Sequence, residues 1–415
     1  MHLSKKDATK LFWFAWLVYF CSYLGRLNYS AVMNELIDTN VVTKIQAGWV
    51  STGFLIAYAS GQLLNGMLAD RINPRIMVCL GALGGGLLNL LFPLTNSYAL
   101  MLALRVGTGF CMSTLWPGIF SAMVRLMNDE DKLRHSIDIS SSMSAGTLLS
   151  YVSSGVLLKY VSWRPAFYIP GLLLMTAGVL WFIAYGAIAG DLGKNIMPSA
   201  APSGEKKKNM LPMSRLILFP CILAALVPVI LHGVIKDGVT SWIPTYIAEV
   251  FHTSSAFAAF VSVLLPIANL TGAYLGEFMY KRMKQNPFTA SAVYFGGAVL
   301  LFLVMLYVAD KFIIPTVVCF ALITSFMMAI NVLMINLLPL KFQKYNRTST
   351  ISGGLNAVAY GGSALASGLI GVMSDAWGWN AALVSWLVMM VIAGGVCIVC
   401  KNTIFDKRLK EDEAV

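Results

Sequence analysis

Acidic residues are scarce in this chain, and scarcer still where it is apolar. Of 415 residues only 19 are Asp or Glu, 12% are charged and 58% are hydrophobic. With a mean hydropathy of +0.72, this composition excludes a soluble globular protein and specifies an integral membrane protein. Histidine is rarer, at four residues, and the seven cysteines are scattered at positions 21, 79, 111, 221, 319, 397 and 400. Cys397-x-x-Cys400 has no His or further Cys at ligand spacing, so it reads as core packing rather than metal or redox chemistry. No nucleophile–base set is present, which sets an enzyme aside, and no cofactor is implied. A cleavage site is also missing after the apolar run that begins at Leu11 behind Lys5, Lys6 and Lys10. That run is a first transmembrane helix, not a signal peptide.

What is there is a set of twelve apolar segments. The first six lie near 11–33, 46–69, 76–95, 98–126, 136–159 and 165–189, and the second six near 216–247, 255–280, 287–309, 312–338, 349–373 and 380–400. The net charge of +11 follows from their topology and not from a nucleic-acid partner. Both termini and the loops after every second span hold 23 of the 30 Lys and Arg residues, whereas the opposite loops hold only Lys44, Lys159, Arg164 and Lys311. The positive-inside rule then places both termini in the cytoplasm. One long polar stretch rich in Gly, Pro, Ser and Lys, 190–213, reads as a cytoplasmic linker. The expected architecture is an all-α integral membrane protein of twelve transmembrane helices in two pseudo-symmetric six-helix bundles. Residues 1–189 form the first bundle, 214–401 the second, and 402–415 a cytoplasmic tail.

Two cations stand inside this apolar frame. Arg26 and Lys236 each precede by 40 residues a glycine-led turn, Gly66-Met-Leu-Ala-Asp70-Arg71 and Gly276-Glu-Phe-Met-Tyr280-Lys281. The offset of 210 between the halves marks an internal duplication, and Ser162-Trp163-Arg164 and Gly378-Trp379-Asn380 repeat the theme at an offset of 216. A cation at mid-membrane costs roughly 2.5–3.5 kcal/mol even on lenient scales, so it usually faces a polar cavity and acts there. Two at equivalent places suggest one anion site on a pseudo-symmetry axis. A guanidinium fork opposite a compact ammonium suits an anion with several acceptor oxygens. The alternative for each cation is a buried carboxylate partner that serves packing alone. No acid lies deep in the first six spans; Asp237 adjoins Lys236, but adjacent helical residues do not face each other, so that pair need not form.

Twelve spans with Gly66-x-x-x-Asp70-Arg71-x-x-x-Arg75 resemble the major facilitator superfamily, and Arg105-x-x-x-Gly109 with Pro117 resembles a second signature of it. Within it the chain is most similar to the organophosphate/inorganic phosphate antiporters. Tyr23-Leu-Gly-Arg26-Leu-Asn28, Lys236-Asp-Gly-Val-Thr-Ser-Trp242-Ile-Pro244-Thr-Tyr246 and Ser352-Gly-Gly-Leu-Asn356-Ala-Val-Ala-Tyr360 carry that likeness. The resemblance implies that Arg26 and Lys236 grip a phosphate from opposite halves. In the glycerol-3-phosphate carrier a lysine stands where this chain has Gln62 and a histidine where it has Met143, while Ser142-Met143-Ser144 is closer to the hexose-phosphate branch. Tyr23, Tyr58, Gln62, Asn356 and Tyr360 are candidate neutral contacts to the ligand. His232, one turn before Lys236, reads equally as cavity lining or as packing. Gly66, Asp70, Arg71 and Arg75 are expected to gate, with Asp70 capping or pairing with a neighbouring helix. For Arg105, a structural contact to backbone carbonyls and a coupling role both stand.

The function expected is transport of an organic anion, an organophosphate or sugar phosphate, in exchange for inorganic phosphate by alternating access. The partners are these anions and the lipid bilayer of the cell membrane, without nucleic acid, the protein acting as a monomer. Proton-coupled carriers generally need an intramembrane acid or histidine, and the related sugar-acid symporters carry acids where this chain has Gly25 and Met112. Proton-coupled carboxylate uptake and a transporter-like sugar-phosphate sensor are the alternatives.

Overall fold

The computed structural model describes residues 2–195, 219–253, 257–258, 261, 263–308 and 310–402. Residues 196–213 of the expected linker and 403–415 of the expected tail lie outside them. Among the described residues every regular element is helical. The α-helices are α1 (Lys5–Asp38), α2 (Lys44–Ala69), α3 (Pro74–Leu91), α4 (Tyr98–Met112), α5 (Leu115–Leu126), α6 (Asp129–Asp138), α7 (Ser140–Tyr160) and α8 (Pro165–Asn195). They continue with α9 (Pro220–Val250), α10 (Leu264–Arg282), α11 (Pro287–Val308), α12 (Ile313–Asn331) and α13 (Thr348–Cys400).

Local chemistry sets the ends of these elements. Thr43 and Gln46 close a capping box on α2, and Asn73 caps α3 with Pro74 in its first turn, where the missing N–H of proline costs nothing. Pro117 would clash with the carbonyl of Ser113 one turn earlier. The fourth span, expected as one helix, accordingly breaks between α4 and α5. The Ser113 and Thr114 hydroxyls donate to the Phe110 and Cys111 carbonyls at the break. The polar stretch after it, expected as a loop, is instead α6: Asn128 caps it, and Asp129, Glu130 and Asp131 fill its first turn, where the helix dipole favours acids. The tenth span leaves α-geometry for a π-helix over Val332–Leu337 and a 3₁₀-helix over Leu338–Tyr345. Pro339 lies in that stretch and offers no N–H to Ile335, which favours the wider turn. Gly378, at φ +75°, separates the eleventh and twelfth spans within α13.

The chain divides into two compact units, Met1–Met210 with Pro339–Ala357 and Leu211–Leu338 with Val358–Val415. The first turns of α13 thus belong with the first unit. In that unit α1 packs on α7 and α8, α2 on α4, and α3 on α4 and α8. A core cluster of Tyr29, Val32, Leu36, Phe92, Trp163 and Phe167 seals one end of it. In the second unit α12 is the hub, with α9, α10 and α11 against it. Exposed Leu, Ile, Val and Phe on α8 and α11 face outward as lipid-facing helices do.

Candidate functional site

In the first unit the site is built on α1, α2 and α4. Gly109 lets α4 press onto α2, since a Cβ there would lie 2.5 Å from the Phe54 carbonyl. That approach sets the Phe54 ring between two guanidinium groups, Arg105 at 4.4 Å and Arg26 at 5.9 Å from its centroid. Arg26 also rests 4.4 Å above Tyr58 and 5.4 Å from Tyr23. Aromatic faces attract cations without cancelling their charge. Arg105 is buried; it donates through Nη2 to the Arg26 carbonyl at 3.1 Å and through Nη1 to that of Gly25 at 3.5 Å. Four candidate residues, Tyr23, Arg26, Tyr58 and Arg105, therefore converge. Gln62 follows Tyr58 by one turn, on the same face of α2, and is fully buried.

Phe54 was absent from the expected site, although it stands four residues before Tyr58, the spacing that shares a helix face. Asn28, the third residue of the first-span motif, donates to Asn89 Oδ1 on α3 and to the Ala166 carbonyl on α8, both at 3.0 Å. It anchors the α1 register from which Arg26 projects. Ser150 on α7 adds a bond to the Leu24 carbonyl.

At the other end of α2, Asp70 accepts hydrogen bonds from the backbone N–H groups of Ser349, at 3.1 Å, and Thr350, at 2.8 Å, and from the Thr350 hydroxyl. It thereby caps the N-terminus of α13, where the dipole favours a carboxylate. Burial pushes its pKa up, against the pull of the donors from Thr350 and Ser349. Gly66 permits the contact: a Cβ there would lie 2.9 Å from the Ser349 carbonyl. Trp116 donates to the Ser352 hydroxyl at 2.9 Å, a second tie to the same turns. Arg125, unforeseen from the sequence, donates to the Ala69 and Ile72 carbonyls at 2.7 and 3.3 Å and so completes the α2 terminus. Arg71 is exposed. Arg75 is directed elsewhere, to the Phe182 carbonyl at 2.8 Å and the face of that ring, and ties α3 to α8.

In the second unit Lys236 lies 3.3 Å from Asp237 Oδ1. The pairing that the sequence left open is formed here. Their Cβ atoms diverge, but the four-carbon lysine stem is long enough to curl back to its neighbour. His232 is fully buried, and its Nε2 lies 3.2 Å from Asn331 Nδ2, at the last residue of α12 before the π-helix. Nothing in the sequence pattern marks Asn331, because its partner is 99 residues away. Tyr360 is buried in this unit, and Asn356 is buried in the first. Among the described residues no three His, Cys, Asp or Glu side chains come together as metal ligands would.

The profile of the Major Facilitator Superfamily matches residues 15–367. A probable hexose phosphate transport protein of Chlamydia trachomatis is 23% identical over 92% of this chain and 89% of its own length. A glycerol-3-phosphate transporter of Bacillus subtilis is 23% identical over 89% of this chain and 87% of its own. The membrane sensor protein UhpC of Escherichia coli is 20% identical over 92% and 88%. Among solved structures, the human organic anion transporter MFSD10 (TETRAN) superposes with a TM-score of 0.68 at 13% identity, covering 94% of this chain and 99% of that one, a likeness of fold.

Proposed function

The chain belongs to the Major Facilitator Superfamily; it is a multi-pass membrane transporter and not an enzyme, and from that premise we propose that it exchanges an organic phosphate, a sugar phosphate in particular, for inorganic phosphate. One observation carries the reading: the Arg26 guanidinium is held on the faces of Tyr58, Tyr23 and Phe54, which attract a cation without neutralising it. A guanidinium presented this way binds two phosphate oxygens together. Lys236, at the equivalent place of the second repeat, is the other cation on the phosphoryl group. Tyr23, Tyr58, Gln62, His232, Asn356 and Tyr360 supply hydrogen bonds around it. Relatives named for hexose phosphate and glycerol-3-phosphate transport support the substrate class.

Arg105 acts on Arg26 from behind, through the α1 carbonyls that it holds. Asp70 and Gly66, at the contact of α2 with the first turns of α13, act as the cytoplasmic gate, with Arg71 and Arg75 in the adjoining turn. Both termini are cytoplasmic, and one chain suffices for the transport cycle. Exchange of one anion for another needs no proton relay, which fits a helix-bundle interior so poor in carboxylates.

The test is uptake of radiolabelled phosphate into proteoliposomes loaded with unlabelled phosphate, alongside Arg26→Ala and Lys236→Ala. The expected result is rapid exchange in the wild type that is lost in both variants. Phosphate binding without exchange would instead favour the sensing role that the likeness to UhpC raises. Uptake that ignores phosphate and collapses with the proton gradient would overturn the proposal in favour of a proton-coupled carboxylate carrier.

A further inference from the structure

The Gln62 side chain is 0% exposed, and among the described residues neither its Nε2 nor its Oε1 has a hydrogen-bond partner. An amide buried with donor and acceptor both unmet is a standing penalty on whichever conformation buries it. At this residue α2 lies directly against another element. α2 runs backbone to backbone against the first turns of α13: a Cβ on Gly353 would lie 2.5 Å from the Gln62 carbonyl and 2.9 Å from the Gly66 Cα. Asp70 fastens the same contact through the Ser349 and Thr350 N–H groups. In the other direction along α2, Tyr58 lies one turn back with the Arg26 guanidinium 4.4 Å above its ring. Gln62 therefore stands between the candidate anion site and the seal made by α2 and α13.

We infer that Gln62 reads whether the Arg26 site is filled: a ligand seated there supplies the partners that the amide lacks, and the α2–α13 contact then closes without penalty. This rests on the anion-exchange reading and adds a cause for obligatory exchange. With the site empty, closure strands a buried amide. With the site filled, it does not. The amide lacks a donor and an acceptor together, so the ligand group it fits is a hydroxyl, which serves as both. A phosphate with one protonated oxygen, or a phosphate monoester with a hydroxyl close to its phosphoryl group, carries that group; a simple alkyl phosphate dianion does not.

The decisive experiment is hydrogen–deuterium exchange of the full-length protein in lipid nanodiscs with no ligand added, read at the Ser349 and Thr350 amides. Gln62→Met and Gln62→Leu keep the bulk of the side chain and remove its polar atoms. Both are expected to slow exchange at these amides by about tenfold relative to wild type, the scale of one relieved buried polar group. Exchange unchanged or faster in both variants, with each eluting as a single folded species, would overturn the inference and mean that the amide is already satisfied. In proteoliposomes, Gln62→Met should raise net phosphate efflux relative to exchange, because the empty carrier can now close; an unchanged ratio would count against it. If the wild type does not exchange phosphate at all, the proposed function fails while the ligand-free amide comparison still decides the role of Gln62.

Discussion

The two repeats join their first and fourth spans in different ways. In the first, Tyr29 of α1 meets the Arg105 guanidinium of α4 at 5.1 Å. In the second, Tyr246 of α9 meets the Phe320 ring of α12 at 5.7 Å. One contact carries a charge and the other does not. The two candidate cations differ likewise: Arg26 lies on aromatic rings, whereas Lys236 lies beside a carboxylate. A carboxylate offsets the charge of a cation more than a ring does. The outer ends diverge as well. Trp163 is buried among Tyr29, Phe92 and Phe167, while Trp379 packs on Tyr246 and donates to the exposed Glu249 at 2.8 Å. If both cations meet the anion as proposed, the first repeat has the stronger hold on it.

Substitution can break this contrast. Arg26→Ala should lower phosphate uptake at low ligand concentration by about a hundredfold, roughly the 3 kcal/mol of two charge-assisted bonds. A smaller loss than that of Lys236→Ala, measured in the same vesicles, would reverse the ranking of the repeats. Arg105→Met comes next. It removes the clamp on the Gly25 and Arg26 carbonyls, and should raise the half-saturating phosphate concentration about tenfold. Its Tm should not fall, because a buried cation without a carboxylate contributes little to stability. A lower Tm with unchanged affinity would make Arg105 a packing residue only.

The second repeat offers finer tests. Asp237→Asn removes the carboxylate 3.3 Å from Lys236 and should tighten phosphate binding about fivefold, roughly 1 kcal/mol. Weaker binding would show that Asp237 positions the lysine instead of masking it. The smallest effect belongs to Glu249→Gln, which keeps an acceptor for Trp379 at an exposed site; stability should stay within about 0.5 kcal/mol. A larger drop in Tm would mean that the outer end of the second repeat is as firmly built as the Trp163 cluster of the first.

Much of the architecture was legible in advance because it depends on local periodicity. Apolar length, loop charge and the repeated spacing of 210 residues required no knowledge of contacts. Arg26 was legible for a similar reason, since a cation in an apolar run is conspicuous whatever surrounds it. The breaks at Pro117 and Pro339 were written in the chain too, but a hydropathy window averages across a single proline. Asn331 and Phe54 were not legible as neighbours of the candidate residues, because an asparagine or phenylalanine in a transmembrane helix is ordinary until its neighbour is known.

The sequence by itself determined that this protein crosses the membrane as two related helical bundles and that each carries a cation within an apolar span, because burial of apolar length in lipid and the cost of charge there are properties of short segments. Tertiary structure alone decided what each cation faces: aromatic rings for Arg26, a curled ion pair for Lys236, the α1 backbone for Arg105. It likewise decided that Asp70 caps α13 at Ser349 and Thr350 and that the Gln62 amide lies buried without a partner among the described residues. Those outcomes depend on which residues, tens or hundreds apart, arrive within a few ångströms of one another, and hydrogen bonding and charge neutralisation act only over that range.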